Sequence, residues 1–144
     1  MIMQMCFIVN EIECVMTRGE KYLDNGSRNP VVEFCSLQED ATRRDFTINA
    51  LYCNVSTGEM VDMANGRNDI DDCIIRTTNP NPDFIFQEDP LRILRAVRFS
   101  CVYGFSISQD TYDAMKRNAD RLEIITKERI QSELNKILMS NDAA

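Results

Sequence analysis

Glu88-Asp89-Pro90-Leu91-Arg92-Ile93-Leu94-Arg95-Ala96-Val97-Arg98-Phe99 is the most informative stretch of this 144-residue chain. Asp89 followed by Pro90 is a helix start, with an aspartate N-cap and proline at the first helical position. At 100° per residue, arginines at i, i+3 and i+6 each step back about 60° around a helix. Arg92, Arg95 and Arg98 therefore form a slanted stripe that Asp89 extends by one step. Ile93, Leu94, Val97 and Cys101 gather on the other side, so the helix buries one face and shows charge on the other. On spacing alone a plainer reading stands beside any functional one. In it, Asp89 is only a cap and the arginines are only a solvated face.

Working outward, Gly104 ends this helix. Ser108 is a cap for a helix around 109–119, and Thr126 for a last one. There Ile130, Leu134, Ile137 and Leu138 fall at i, i+4, i+7 and i+8. Upstream, Asn79-Pro80-Asn81-Pro82 reads as a linker, and the domain boundary is expected there. Before it the signals are mixed. Met1 to Val9 is apolar but short, has no basic flank, and reads as a strand rather than a membrane segment. Ile12, Cys14 and Met16 alternate with Glu11 and Glu13, as in a strand with one wet face. Arg18 to Pro30 reads as a turn or loop, and Val31 to Phe34 as a strand. Residues 42–54 are expected to be helical, with Arg43, Arg44 and Asp45 at the head and Gly58 beyond the end. Glu59 to Met63 and Cys73 to Thr77 read as strands around a polar loop, 64–72. The expected fold class is α+β, mixed first and all-helical second.

Composition narrows the chemistry. Histidine is absent, which excludes Ser-His-Asp and Cys-His nucleophiles and any histidine base. The net charge is −7, unsuited to nucleic-acid binding over the whole surface. Residues 1–83 carry 7 basic and 14 acidic groups, whereas residues 84–144 carry 9 of each. Phosphate binding therefore falls to local arginine clusters. Six cysteines, at 6, 14, 35, 53, 73 and 101, form no C-x-x-C pair and read as reduced cytosolic thiols.

Three clusters are candidates for chemistry. At the expected helix head, Arg43 and Arg44 suit an anion, and Asp45 can fix an arginine or take a ribose hydroxyl. Asp89 and Arg92, at i and i+3, can read a base edge. Cytosine and adenine each present an amino donor beside a ring-nitrogen acceptor, which a carboxylate and a guanidinium complement. Uracil and guanine present the reverse and are refused. The acidic run Asp69-Ile70-Asp71-Asp72 is read as a solvated turn in preference to a metal cage.

Together these segments resemble the class II CCA-adding tRNA nucleotidyltransferase and bacterial poly(A) polymerase family. Arg43-Arg44-Asp45-Phe46-Thr47-Ile48-Asn49-Ala50-Leu51 is similar to its ribose- and triphosphate-binding motif. Asp62, Gly66 and Asp69-Ile70 are similar to its D…G-x-x-D-[IL] motif. Glu88-Asp89-Pro90-Leu91-Arg92 resembles the E-D-x-x-R nucleotide template. Glu128-Arg129-Ile130, Glu133-Leu134 and Ile137-Leu138 resemble the neck pattern.

The resemblance implies a partial nucleotidyltransferase head over residues 1–82. A helical neck, with the nucleotide template and RNA-binding region, would follow over 83–144. It implies a magnesium-dependent enzyme that adds C, C and A to the tRNA 3′ end from CTP and ATP, in the cytoplasm and without a membrane partner. Poly(A) addition is the nearest alternative, and a non-catalytic nucleotide- or RNA-binding remnant another. Arg43, Arg44 and Asp45 would hold sugar and phosphates, Asp89 and Arg92 the base, and Arg95 and Arg98 would line the site. Glu13, on a strand similar to one of the family's, would be the third active-site carboxylate and a metal ligand. The family's Gly-rich turn and Asp-x-Asp metal motif lie upstream of that strand, with no room for them before Glu13. The expectation is therefore a chain truncated at both ends and inactive, or very weakly active, by itself. The sequence carries no signal for oligomeric state.

Overall fold

The structure, a computed structural model, describes residues 35–140 together with the backbone of four strands before them. Two compact units form, residues 1–40 and 41–144. In the first, β1 (Cys6–Val9) pairs antiparallel with β2 (Ile12–Val15), which sets Glu13 opposite Ile8. A second antiparallel pair joins β3 (Arg18–Lys21) to β4 (Val31–Phe34), so a strand stands where a loop was expected to begin.

Helix α1 (Leu37–Arg43) ends at the arginines instead of starting there. Its start is a capping box. The Glu39 N–H donates to Ser36 Oγ (3.2 Å) while Glu39 Oε2 accepts from the Ser36 N–H (2.8 Å). The expected helix over 42–54 does not form. A bend at Arg44 and Asp45 leads through Phe46 into a single 3-10 turn (Thr47–Asn49) and then β5 (Leu51–Cys53). The physical reason lies at Asp45. Its Oδ1 takes the Phe46 N–H at 2.9 Å, so the side chain competes with the helix for the backbone. Phe46 is fully buried and bridges Thr77, a tertiary demand that overrides helix propensity. Strand β5 turns back through Gly58, at φ +72°, to pair antiparallel with β6 (Met60–Asp62).

The expected polar loop is a helix, α2 (Gly66–Asp71). Asp62 caps it from a distance, accepting from the N–H groups of Ala64 (3.1 Å), Gly66 (3.0 Å) and Arg67 (2.9 Å). Burial works against the Asp62 charge, yet these backbone donors hold its carboxyl below the usual range. Asp69 is buried rather than solvated. It accepts from Thr47 Oγ1 at 2.7 Å and pairs with Arg76 at 3.0 Å. This fastens α2 beneath the 47–49 turn. A Cβ on Gly66 would lie 2.2 Å from the Thr47 carbonyl oxygen. Gly66→Ala gains less than about 1 kcal/mol of helix propensity, against an overpacking cost on the order of 2 kcal/mol. The net expectation is a Tm lower by roughly 2–8 °C in calorimetry. An unchanged Tm would show that α2 does not seat on that carbonyl.

Strand β7 (Ile74–Ile75) pairs parallel with β8 (Ser106–Ile107). Between them run α3 (Pro82–Glu88), capped by Asn81, and α4 (Leu91–Tyr103), closed by Gly104 at φ +68°. Then come α5 (Gln109–Asn118), with Ser108 at its N-cap, and α6 (Lys127–Leu138), with Thr126 at its N-cap. The Asn79–Pro82 stretch lies inside the second compact unit. Phe46, Ile75, Ile85, Phe86, Ile93, Ala96, Phe99, Ala114 and Met115 form one core. Asp83 ties α3 to α5 through Arg117 (2.6 Å) and Asn118 (2.6 Å), and the Arg117 guanidinium holds its carboxyl below the usual range.

Helix α6 packs along α4 but buries little apolar surface: Leu134 and Leu138 are 42% and 72% exposed. Charge does the fastening. Glu133 is buried and takes Arg98 Nε at 2.7 Å and Lys136 Nζ at 3.1 Å. Burial alone would raise its carboxyl pKa from the ordinary 4.5, but Lys136 and Arg98 outweigh burial and lower it. The folded-state value thus lies below the unfolded one. The pair's stabilisation is complete above the ordinary value and is lost as pH falls through the folded-state value. Wild type and Glu133→Gln should therefore differ in Tm by a constant amount near neutrality. The difference should shrink once the pH drops below about 4.5. A gap independent of pH would contradict this account.

Candidate nucleotide site

The site begins at the α3–α4 junction. The Asp89 N–H donates to the Ile85 carbonyl (3.4 Å), closing α3, while Asp89 Oδ1 accepts from the Leu91 N–H (3.2 Å), opening α4. The cap read from the sequence is thus present, with Pro90 in helical geometry behind it. One residue thereby fixes where α4 begins, and with it the azimuth of every arginine on the stripe.

None of the three stripe arginines is a solvated side chain. Arg92 has a side chain only 16% exposed. Its Nη1 donates to Glu88 and to the Ile85 carbonyl, and its Nη2 to the Arg43 carbonyl at 3.0 Å. Arg95 meets buried Asp45 Oδ2 through both Nε and Nη2, each at 2.6 Å. Its guanidinium lies 5.4 Å from the Phe99 ring centroid. Arg98 turns to Glu133, with its guanidinium 4.2 Å from the centroid of Phe99. The stripe therefore stitches α4 to the 43–45 bend on one side and to α6 on the other.

Asp45 does fix an arginine, the first of its two expected roles. Its Oδ1 also accepts from Asn49 Nδ2 at 2.9 Å, so this carboxylate organises the 45–49 turn. Arg44 donates to Tyr52 Oη (3.2 Å) and to the Asn49 carbonyl (3.0 Å), and stands over the Tyr52 ring. Because α1 ends at Arg43, Arg43 and Arg44 stand at a helix end and not at the helix head expected for them. The helix start that borders the site is that of α4, at Asp89 and Leu91.

These residues border a cavity of about 490 Å³, lined by Arg44, Asp45, Asn49, Asp89, Leu91, Arg92, Arg95, Phe99 and Arg129. That is the size of a small-molecule site. Four guanidiniums face two carboxylates, a locally positive pocket in an acidic chain. Five expected site residues meet there: Arg44, Asp45, Asp89, Arg92 and Arg95. Arg43 and Arg98 are not among the lining residues. Arg43 contributes its carbonyl to Arg92, and Arg98 anchors α6. Glu13 lies in β2, and its side chain falls outside the described residues. Asp69 lines a different cavity, of about 460 Å³, beside Arg76 and Thr111.

Sequence reasoning missed Arg129 as a site residue. Its Nη2 donates to Asp89 Oδ2 at 2.8 Å from across the second unit. The sequence signal was present, since Arg129 sits four residues before Glu133 and so on one face of α6. Nothing local indicated that this face meets α4.

The chain is similar to known proteins over most of its length. A family model described as the poly A polymerase head domain matches residues 1–76. Another, described as a probable RNA and SrmB-binding site of polymerase A, matches residues 104–144. The CCA-adding enzyme of Ligilactobacillus salivarius (strain UCC118) is 40% identical over 131 residues, 90% of this chain and 32% of that protein. The multifunctional CCA protein of Stenotrophomonas maltophilia (strain K279a) is 38% identical over 136 residues, 89% of this chain and 32% of that protein. The crystal structure of the Bacillus stearothermophilus CCA-adding enzyme in complex with CTP superposes with a TM-score of 0.79 at 38% identity. That match covers 91% of this chain and 31% of the solved one. The chain thus spans about a third of the length of the curated relatives it matches. The chain belongs to the poly A polymerase head-domain family, and CCA-adding enzymes are among its relatives.

Proposed function

We propose that this chain is the nucleotide-selecting part of a tRNA nucleotidyltransferase that adds C, C and A to tRNA 3′ ends from CTP and ATP. The observation that carries the reading is the placement of Asp89 and Arg92 side by side on one arginine-rich cavity. The Asp89 carboxylate accepts from the exocyclic amino group of cytosine or adenine, and Arg92 donates to the adjacent ring nitrogen. Two Arg92 N–H bonds, those on Nε and one on Nη2, are not used by the partners described above. Arg44 and Arg95, with Asp45, take the sugar and phosphates. Residues 1–82 serve as head and residues 83–144 as the neck that bears the template and meets RNA.

In the full reaction the tRNA 3′-hydroxyl attacks the α-phosphorus of the nucleotide. The new bond is O3′–Pα, and pyrophosphate leaves. Magnesium supplies charge stabilisation to such a transfer when bound. Among the described residues no three carboxylates or thiols converge to hold a metal, and both cavity carboxylates are engaged by arginines. The described residues therefore do not fit a magnesium cage. Glu13 remains the proposed catalytic carboxylate and metal ligand. We place the protein in the cytoplasm, in keeping with free thiols at Cys53, Cys73 and Cys101. Among the described residues no helix is long and apolar enough to cross a membrane.

Equilibrium binding of the four nucleoside triphosphates tests the proposal. CTP and ATP should bind at least about 10-fold more tightly than UTP and GTP, since one such pair of contacts is worth about 1–3 kcal/mol. Binding of ATP alone would favour poly(A) addition, which the head-domain match also admits. Equal binding of all four would remove the base-reading role.

A further inference from the structure

Arg44 borders the nucleotide cavity from an exposed position. A long charged side chain at a surface gives up rotamer freedom when a ligand fixes it. Here the strand that follows has already fixed it. Tyr52, half-buried on β5, accepts the Arg44 Nε–H on its hydroxyl at 3.2 Å. The guanidinium stands over the tyrosine ring, 5.2 Å from its centroid. The Asn49 carbonyl takes Arg44 Nη1 at 3.0 Å. A guanidinium is planar, so two anchored nitrogens and a ring beneath them set its plane. Tyr52 is itself held in register, since it pairs with Val61 of β6. It is not among the residues that line the cavity, so it acts on the cavity through Arg44.

We propose that Tyr52 is a positioning residue for phosphate binding. It holds the Arg44 guanidinium ready for the nucleotide's phosphates, so the pocket takes an anion without first ordering its arginine. The hydroxyl sets the direction of Nε, and the ring sets the face. Preorganisation of this kind acts on the phosphates and is indifferent to the base. The proposal rests on the reading of Arg44 as a sugar and phosphate contact, and not on the base-reading role of Asp89 and Arg92.

The test measures affinities of the whole chain for CTP, UTP and cytidine, with Tm as control. Tyr52→Phe keeps the ring and loses the hydroxyl. It should weaken CTP binding by about 3-fold, the reach of one polar contact at an exposed site. Tyr52→Leu also loses the ring under the cation and should weaken it by about 10-fold. UTP should lose as much as CTP. Cytidine, which has no phosphate, should bind as it does to wild type. In an Arg44→Ala background, Tyr52→Phe should change CTP affinity no further. A loss shared by cytidine, or one that persists without Arg44, would overturn the proposal. A lower Tm with unchanged CTP affinity would make Tyr52 purely structural and overturn it equally. If wild type bound CTP and UTP alike and Tyr52→Phe weakened both, base reading would fall while this proposal gained support. If wild type bound CTP no more tightly than cytidine, the phosphate contact of Arg44 would fall, and the proposal with it.

Discussion

Asp45→Ala should lower Tm by roughly 6–12 °C, corresponding to a loss of about 3 kcal/mol. Asp45 is 6% exposed and receives Arg95, Asn49 Nδ2 and the Phe46 N–H. Its removal strands three donors at once, and unsatisfied buried donors each carry a desolvation penalty of about 1–3 kcal/mol. The Arg95 side chain is 34% exposed and can recover part of its hydration. That keeps the total near the lower end of the range for breaking a buried pair. Asp45→Asn retains an acceptor for Phe46 but sets an amide against Arg95, so its loss should be intermediate. Calorimetry of the three proteins checks the order. If Asp45→Ala melted within about 1 °C of wild type, the 44–49 bend would not depend on this carboxylate.

Asp89→Ala should abolish the preference for CTP and ATP over UTP, a change in affinity ratio of about 10- to 100-fold. The expectation has two parts, which a second variant separates. Asp89 caps α4, and losing an aspartate cap costs about 1 kcal/mol of stability. It also offers the acceptor that cytosine and adenine need. Asp89→Asn preserves a capping oxygen while putting an amide donor in reach of the base. Its Tm should stay near wild type while its preference moves toward UTP. Discrimination that survived in both variants would transfer base reading away from Asp89. A preference lost in the alanine variant but intact in the asparagine variant would make the effect one of helix capping.

The stretch over 88–99 was legible because its signals are local. An aspartate before a proline, and apolar residues at helical spacing, specify a helix with little help from elsewhere. The Gly104 end, the helix starts at Ser108 and Thr126 (where neither side chain makes a cap hydrogen bond), and the strand β4 were legible for the same reason. The base-reading role proposed for Asp89 and Arg92 rests on two residue types at i and i+3, which a helix places side by side. The region 42–72 was not legible. Its expected helix is a bend, a 3-10 turn and a hairpin, because Asp45 captures its own backbone and Phe46 is drawn into the core. Its expected loop is a helix, because the cap at Asp62 lies four residues before Gly66 and acts through a turn. The signal for α1 was available in Ser36-Leu37-Gln38-Glu39, a capping box that the charged arginine pair further along obscured.

By itself the sequence determined the fold class, the family resemblance, the start of α4 and, of the residues that face the cavity from it, Asp89, Arg92 and Arg95. Those properties depend on the 3.6-residue period and on caps, which act within a turn. Only the tertiary structure decided what the arginines do. Arg92 ends on the Arg43 carbonyl, Arg95 on Asp45, and Arg98 on Glu133. Those partners lie 49, 50 and 35 positions away in the chain. A guanidinium on a helix surface is solvated or paired according to which carboxylate the packing of other elements delivers, and no local pattern encodes that delivery. The same holds for Arg129, whose place beside Asp89 exists because α6 lies along α4.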